Sequence, residues 1–156
     1  MLTIGIDPGL GGGIAGLWGK EVIAIKDMPV MEKSYGKGNQ VNPVGLASIL
    51  MEMRVPGKPV RVIIEQVGAM PKQGVSSMFS FGDSFGVLRG VCGALQYSMS
   101  FVIPQTWQKR AGLIGESKDA GRILAIERHP EMYGFLKRKK DNGRADAILI
   151  AEFGIN

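Results

Sequence analysis

The sequence predicts an α/β fold: a mixed five-stranded sheet, three antiparallel strands then alternating β/α, flanked by helices. Three observations carry that expectation. Between Leu2 and Met28, three short apolar segments are separated by glycine-rich turns, as in a meander joined by hairpins. Val60 to Val67 is β-branched and apolar, interrupted by Glu65, and reads as a buried strand. From Asn42 onward, apolar residues at helical spacing alternate with such strands, with proline and glycine marking the stops.

Leu2 to Ile6 is the first strand, closed by the turn Asp7-Pro8-Gly9. Gly11 to Trp18 is glycine-rich, yet Ile14, Ala15 and Leu17 return as a second strand, and Glu21 to Met28 alternates as a third. Met31 to Asn42 is polar, contains Gly36 and Gly38, and reads as a loop. Asn42 caps a helix with Pro43 at its first position, and Val44, Leu46, Ala47, Leu50 and Met51 supply its apolar face. Val55-Pro56-Gly57 stops it. After the Val60 to Val67 strand, Gly68 to Gly74 is a loop and Ser76 to Tyr97 a long helix. Phe101 to Ile103 is a fifth strand closed by Pro104. Short helices follow at Thr106 to Leu113 and Lys118 to Arg128, and a last helix covers Arg144 to Phe153. No repeat or low-complexity segment interrupts this order, so residues 1–156 read as a single domain.

Composition narrows the chemistry. With 45% hydrophobic and 21% charged residues the chain has ample material for a core and is not a disordered tail. Cys92 is the single cysteine and His129 the single histidine, which excludes a disulfide framework and a Cys/His zinc cluster. A resident metal must be held by oxygen atoms. The net charge of +5 and a pI near 9.5 favour an anionic partner, nucleic acid first. The N-terminus has neither a basic start nor a long apolar stretch, and no run approaches the roughly 20 residues that span a bilayer. The expected setting is the cytoplasm.

Three acids stand out from their surroundings. Asp7 ends the first strand, Glu65 interrupts the apolar fourth, and Asp146 lies near the start of the last helix within Gly143-Arg144-Ala145-Asp146-Ala147-Ile148. Read singly, Asp7 is a turn former, Glu65 a salt-bridge partner and Asp146 a charge favoured by the helix dipole. Read together, they converge if the sheet pairs the first and fourth strands and the last helix lies across them. Converging carboxylates repel, and hard divalent cations such as Mg²⁺ or Mn²⁺ relieve that repulsion. Two ions about 4 Å apart support phosphodiester hydrolysis.

Ile4-Gly5-Ile6-Asp7-Pro8-Gly9, Ile63-Ile64-Glu65-Gln66 and Arg144-Ala145-Asp146-Ala147 resemble, in that order, the motifs of RuvC-like Holliday junction resolvases, nucleases of the ribonuclease H-like superfamily. Pro104 to Lys109 is similar to the family's proline-plus-lysine segment after the fifth strand, and the short chain looks most like phage-encoded members. The resemblance implies a ribonuclease H-like fold and a four-carboxylate site binding two Mg²⁺, with Mn²⁺ as a substitute. It also implies a homodimer cutting opposed strands of a four-way DNA junction. Asp7, Glu65 and Asp146 carry over directly as catalytic, metal-binding residues. The fourth acid departs: bacterial members place it three residues before the last Asp, where this chain has Gly143. Asp141 is the nearest substitute and reaches the site if the chain is non-helical before Gly143. The family's aromatic wedge after the fourth strand also departs. Gly68-Ala69-Met70-Pro71-Lys72 stands there, with Met70 as an apolar wedge candidate and relaxed specificity for forks and flaps as the consequence.

Positive charge is concentrated in Lys137-Arg138-Lys139-Lys140, a phosphate-holding cluster or a solvated loop, and Lys72, Lys109, Arg110 and Lys118 are further DNA-contact candidates. Ser117 is expected to cap the helix after Lys118. Trp107 and Cys92 read as core residues, and His129 as the end of a helix. Gly86, Gly90, Gly93 and Ala94 form a small-residue stripe that permits close packing on the sheet or across a two-fold dimer interface. Three other readings stay open: a ribonuclease H-type enzyme on RNA-containing substrate, a silent DNA-binding module, and an actin- or sugar-kinase-like nucleotide-binding domain suggested by Asp7-Pro8-Gly9-Leu10-Gly11-Gly12-Gly13.

Overall fold

Alternating burial along the first strand decides which way the sheet faces. In the computed structural model, which describes residues 1–66 and 68–155, the elements in chain order are β1 (Leu2–Ile6), β2 (Gly13–Trp18), β3 (Glu21–Asp27), β4 (Val30–Glu32), β5 (Asn39–Val41), α1 (Pro43–Glu52) and β6 (Val60–Glu65). They continue with α2 (Val75–Ala94), β7 (Ser98–Val102), α3 (Pro104–Arg110), α4 (Ala120–Arg128), α5 (Tyr133–Leu136) and α6 (Asn142–Phe153). The main sheet has the order β3-β2-β1-β6-β7. β1, β2 and β3 pair antiparallel, whereas β6 joins β1 and β7 joins β6 in parallel. The predicted mixed five-stranded sheet is what the chain forms.

Period-two alternation gives each face its own core. Leu2, Ile4, Ile6, Val62 and Ile64 pack with Leu46 and Leu50 of α1 and Leu88 and Cys92 of α2. Ala15, Leu17, Ile63 and Val102 face the other way, onto Trp107, Ala125 and the buried run Ala147-Ile148-Leu149-Ile150 of α6. That helix is apolar on nearly every side because it is sandwiched between the sheet and α4. It sits close: a Cβ on Gly5 would collide with the Ala147 carbonyl oxygen, and one on Gly143 with the backbone of Gly11 and Gly12.

Several expectations need correction. Met31 to Asn42 is not a plain loop but carries the β4–β5 hairpin, closed by the Lys33 N–H donating to the Gly38 carbonyl at 3.0 Å. Polarity is misleading here, because a two-stranded ribbon held to the core by one residue, Val41, can leave most of its side chains in water. Asn42 does cap α1, its Oδ1 accepting from the Gly45 N–H at 3.0 Å, but the helix ends at Met53, before Val55-Pro56-Gly57. Glu65 is the last residue of β6 rather than an interior one; the Gln66 N–H extends the ladder to the Val102 carbonyl, and the predicted continuation to Val67 lies outside the described residues. The helix expected from Lys118 starts at Ala120, and Ser117 supplies a backbone carbonyl to the Ala120 N–H instead of a side-chain cap. The last helix begins at Asn142, a half-turn earlier than predicted.

Replacing Gly5 by Ala is expected to destabilise the protein by at least about 2 kcal/mol through overpacking against α6. Gly11→Ala, where no atom stands within 4 Å, is the matched control and should be near neutral in a thermal melt. Equal melting temperatures for both variants would show that α6 does not bear on Gly5.

Candidate active site

Parallel pairing of β1 with β6 aligns Ile6 with Ile64, so Asp7 and Glu65, one residue further along each strand, leave the sheet side by side at its carboxyl edge. The first turns of α6 cross that edge, held by a backbone bridge between Gly12 and Gly143, and Asp146 comes down beside them. Three acids far apart in sequence are thereby brought together, each half-buried.

Burial and mutual charge both act among the three carboxyls. Burial pushes the Glu65 carboxyl up to about 7 against the opposing effect of a hydrogen bond from Trp107, and the Asp7 charge adds to the rise. Burial likewise pushes Asp146 up to about 7, with the charges of Asp7 and Glu65 adding to it. Asp7 is raised by burial and partly relieved by the Gly9 N–H, which donates to its Oδ1 at 3.2 Å. No Lys, Arg or His forms an ion pair with any of the three among the described residues. At the same time, no group of three or more His, Cys, Asp or Glu side chains among the described residues is already arranged to hold a metal ion. The donor set nevertheless suits a hard divalent cation: oxygen ligands only, mutually repelling, partly desolvated and lacking a protein counter-ion.

Trp107 is the residue whose role the sequence hid. It is buried, as expected of a core residue, but its indole Nε1 donates to Glu65 Oε2 at 2.6 Å. Its placement in the Pro104 to Lys109 segment, directly after the strand beside β6, was the available signal.

Asp141 does not join the other acids. A single turn of 3₁₀ helix over Lys139–Asp141 turns its side chain back onto Arg138, which donates to it through its backbone N–H at 2.9 Å and its guanidinium at 2.9 and 3.1 Å. The Arg138 guanidinium holds the Asp141 carboxyl below the usual carboxylate range. The condition for its reaching the site, a non-helical chain before Gly143, is not met, because α6 already includes Asn142. Asp141 is corrected from metal ligand to ion-pair partner.

Among the basic candidates, Lys72, Lys109, Lys118, Lys137, Lys139 and Lys140 are exposed. Arg138 is committed to Asp141, and Arg110 donates to the Phe153 carbonyl at 3.1 Å, so these two are anchored to the protein itself. Met70 is 61% exposed in the segment after β6.

For carboxylates whose folded-state pKa lies above the unfolded value, the folded state binds the extra proton. Stability in the absence of metal therefore falls as pH rises from about 4 through about 7. Asp146→Asn is expected to stabilise the metal-free protein at pH 8 by on the order of 2 kcal/mol, with the gain vanishing near pH 4. Melting curves at both pH values check this; an equal gain at each would mean that Asp146 is not under charge strain.

No family model matches the chain. A chloroplastic Holliday junction resolvase, MOC1 of Chlamydomonas reinhardtii, is 35% identical over 85 residues, which is 51% of this chain and 9% of that protein. The chain thus spans about a tenth of the length of that curated relative. Among solved structures, Thermus thermophilus RuvC in complex with a Holliday junction substrate superposes with a TM-score of 0.61 at 13% identity, covering 97% of this chain and 90% of that one. A second Thermus thermophilus RuvC structure gives 0.54 at 13% identity, over 99% and 97%. Strand order and these superpositions agree: the chain has the ribonuclease H-like fold of RuvC.

Proposed function

We propose that this protein is a metal-dependent, structure-selective endonuclease that hydrolyses phosphodiesters in branched DNA, resolving Holliday junctions as a homodimer and acting also on forks and flaps. The observation that supports it is the meeting of Asp7, Glu65 and Asp146 from three separate elements, with raised pKa values and no counter-ion of their own. The carboxylates of the three would hold Mg²⁺, or Mn²⁺ in its place. Bound there, the cation supplies a polarised water as nucleophile and neutralises charge on the scissile phosphate and leaving oxygen.

The chain's own residues prepare that chemistry. The Gly9 N–H fixes Asp7 Oδ1, and the Trp107 indole fixes Glu65 Oε2, so each carboxylate keeps its other oxygen for a cation. Burial against α6 limits competing water and strengthens every charge interaction at the site. Lys137, Lys139 and Lys140 precede α6 and would hold flanking phosphates, with Lys72, Lys109 and Lys118 as further contacts. Met70 would act as an apolar wedge at the branch point. The 156 residues would act as one nuclease domain, paired with a second copy through the open face of α2, where a Cβ added at Gly82, Gly86 or Gly90 would meet nothing within 4 Å. No helix among the described residues is long and apolar enough to cross a membrane, and cytoplasmic DNA is the proposed target.

Purified protein incubated with labelled four-way, fork and linear DNA in Mg²⁺, against an EDTA control, tests this directly. Cleavage of branched substrates only, and only with metal, is the expected result; ATP binding without cleavage would point to the nucleotide-binding reading instead. Asp7→Asn should lose cleavage while binding junctions near normally, and should lose the Mg²⁺-induced rise in melting temperature expected of the wild type. Retained cleavage would remove Asp7 from the site. Replacing Lys137, Lys139 and Lys140 with Ala should weaken binding and reduce the log–log salt slope by about one for each lysine that meets a phosphate. An unchanged slope would make the cluster a bystander.

A further inference from the structure

The β4–β5 hairpin is anchored to the core by Val41 alone, and the rest of it stands out from the sheet. Its turn runs through Gly36 and Gly38, both at positive φ, and carries Tyr35 at the tip, 93% exposed. An aromatic ring held out in this way presents nearly all of its surface to solvent. Lys33 and Lys37 flank it, with Glu32 the nearest acid in the hairpin. Between the hairpin and α2 lies a concavity of about 290 Å³, lined by Lys33, Tyr35, Gln40, Phe79, Ser80 and Asp83. Ser80 also lines a second cavity, of about 360 Å³, whose other walls include Ser76, Ser84 and Gly9. Gly9 is the residue whose N–H holds Asp7. The two concavities thus share Ser80 as a wall, forming a serine-lined groove that starts beside the exposed tyrosine and borders Gly9, two residues from Asp7.

We infer that this groove binds a DNA strand on its way to the scissile phosphate, with an unstacked base lying on Tyr35 and phosphates meeting Lys33 and Lys37. The inference rests on the nuclease reading and deepens it by naming how the strand is held. The chemistry fits the occupant. Exposed aromatics serve as sequence-tolerant platforms because every base has a π-face, and basic side chains beside them track the backbone. Serine hydroxyls donate to phosphate oxygens, while the Asp83 carboxylate suits exocyclic amino groups of a base and disfavours a phosphate at that point. A second copy of the chain is the competing occupant, since Phe79 lies on the α2 face that also carries the open glycines; lysines and serines around the groove favour the polyanion.

The experiment measures binding of the full-length protein to a four-way junction by anisotropy in EDTA, with 2-aminopurine near the branch point reporting unstacking. Tyr35→Ala is expected to weaken binding about ten-fold and to reduce the 2-aminopurine signal, whereas Tyr35→Phe keeps both, because stacking needs the ring and not the hydroxyl. Lys33→Ala with Lys37→Ala should lower the salt slope without changing the 2-aminopurine signal of the bound state. Junction binding by Tyr35→Ala equal to wild type overturns the inference while leaving the nuclease reading intact. If Tyr35→Ala instead dissociates the protein in sedimentation, and its binding deficit disappears when subunits are concentrated, the face is a self-association surface and the inference fails. A wild-type protein that neither binds nor cuts branched DNA overturns both.

Discussion

Mutual repulsion among Asp7, Glu65 and Asp146 is the constraint around which this structure is built. Like charges drawn from water toward a packed interior separate unless the surrounding chain leaves them nowhere to go. Here the parallel ladder between β1 and β6 sets two of them one strand spacing apart, and α6 brings the third across the same edge. The helix can come that close only because Gly5 and Gly143 present no side chain where the backbones meet. Hydrophobic burial on both faces of the sheet supplies the free energy that holds this arrangement against its own electrostatics.

Around the acids, neighbouring groups divide into those that leave them available and those that neutralise other carboxylates. Gly9 and Trp107 each occupy one oxygen of Asp7 and Glu65 and bring no charge. The cations are placed elsewhere. Arg144, two residues before Asp146, reaches away to Asp27 at the end of β3 with contacts of 2.6 and 2.8 Å and to the Phe135 carbonyl, pinning the first turn of α6. Arg138 takes Asp141 out of contention in the same way. The result is a local separation of charge: satisfied ion pairs on one side of the α6 N-terminus and an uncompensated acidic cluster on the other.

The surfaces facing outward from that cluster are of two kinds. Lysines that follow β6, lie in and after α3, or precede α6 are free in solvent and act at a distance as charge. The hairpin side offers shape as well, with a ring and serine hydroxyls around concavities that reach as far as Gly9. A polyanion approaching the molecule would be attracted by the first and oriented by the second.

Much of the fold was readable in the residues themselves, because period-two alternation in Leu2 to Ile6 and helical spacing in Val44 to Met51 are local consequences of which side chains avoid water. The three acids were readable for a related reason: a charge amid Val, Ile and Ala contradicts its surroundings and asks for a partner. Polarity is a poor guide for Val30 to Val41, since a ribbon buried only at Val41 carries too little burial pattern to mark it as strand. Apart from its place just after the strand beside β6, Trp107 gives no sign of an indole proton aimed at Glu65, because 42 positions separate them and the β6–β7 pairing brings them together. Asp141 was misassigned for the same reason: spacing from Asp146 measures distance along the chain, whereas one turn of 3₁₀ helix and the nearby Arg138 decide where its carboxylate points. Local chemistry thus determined the elements and the acids that need partners. Long-range packing alone decided which atoms those partners are, since a hydrogen bond depends on positions in space that no local pattern encodes.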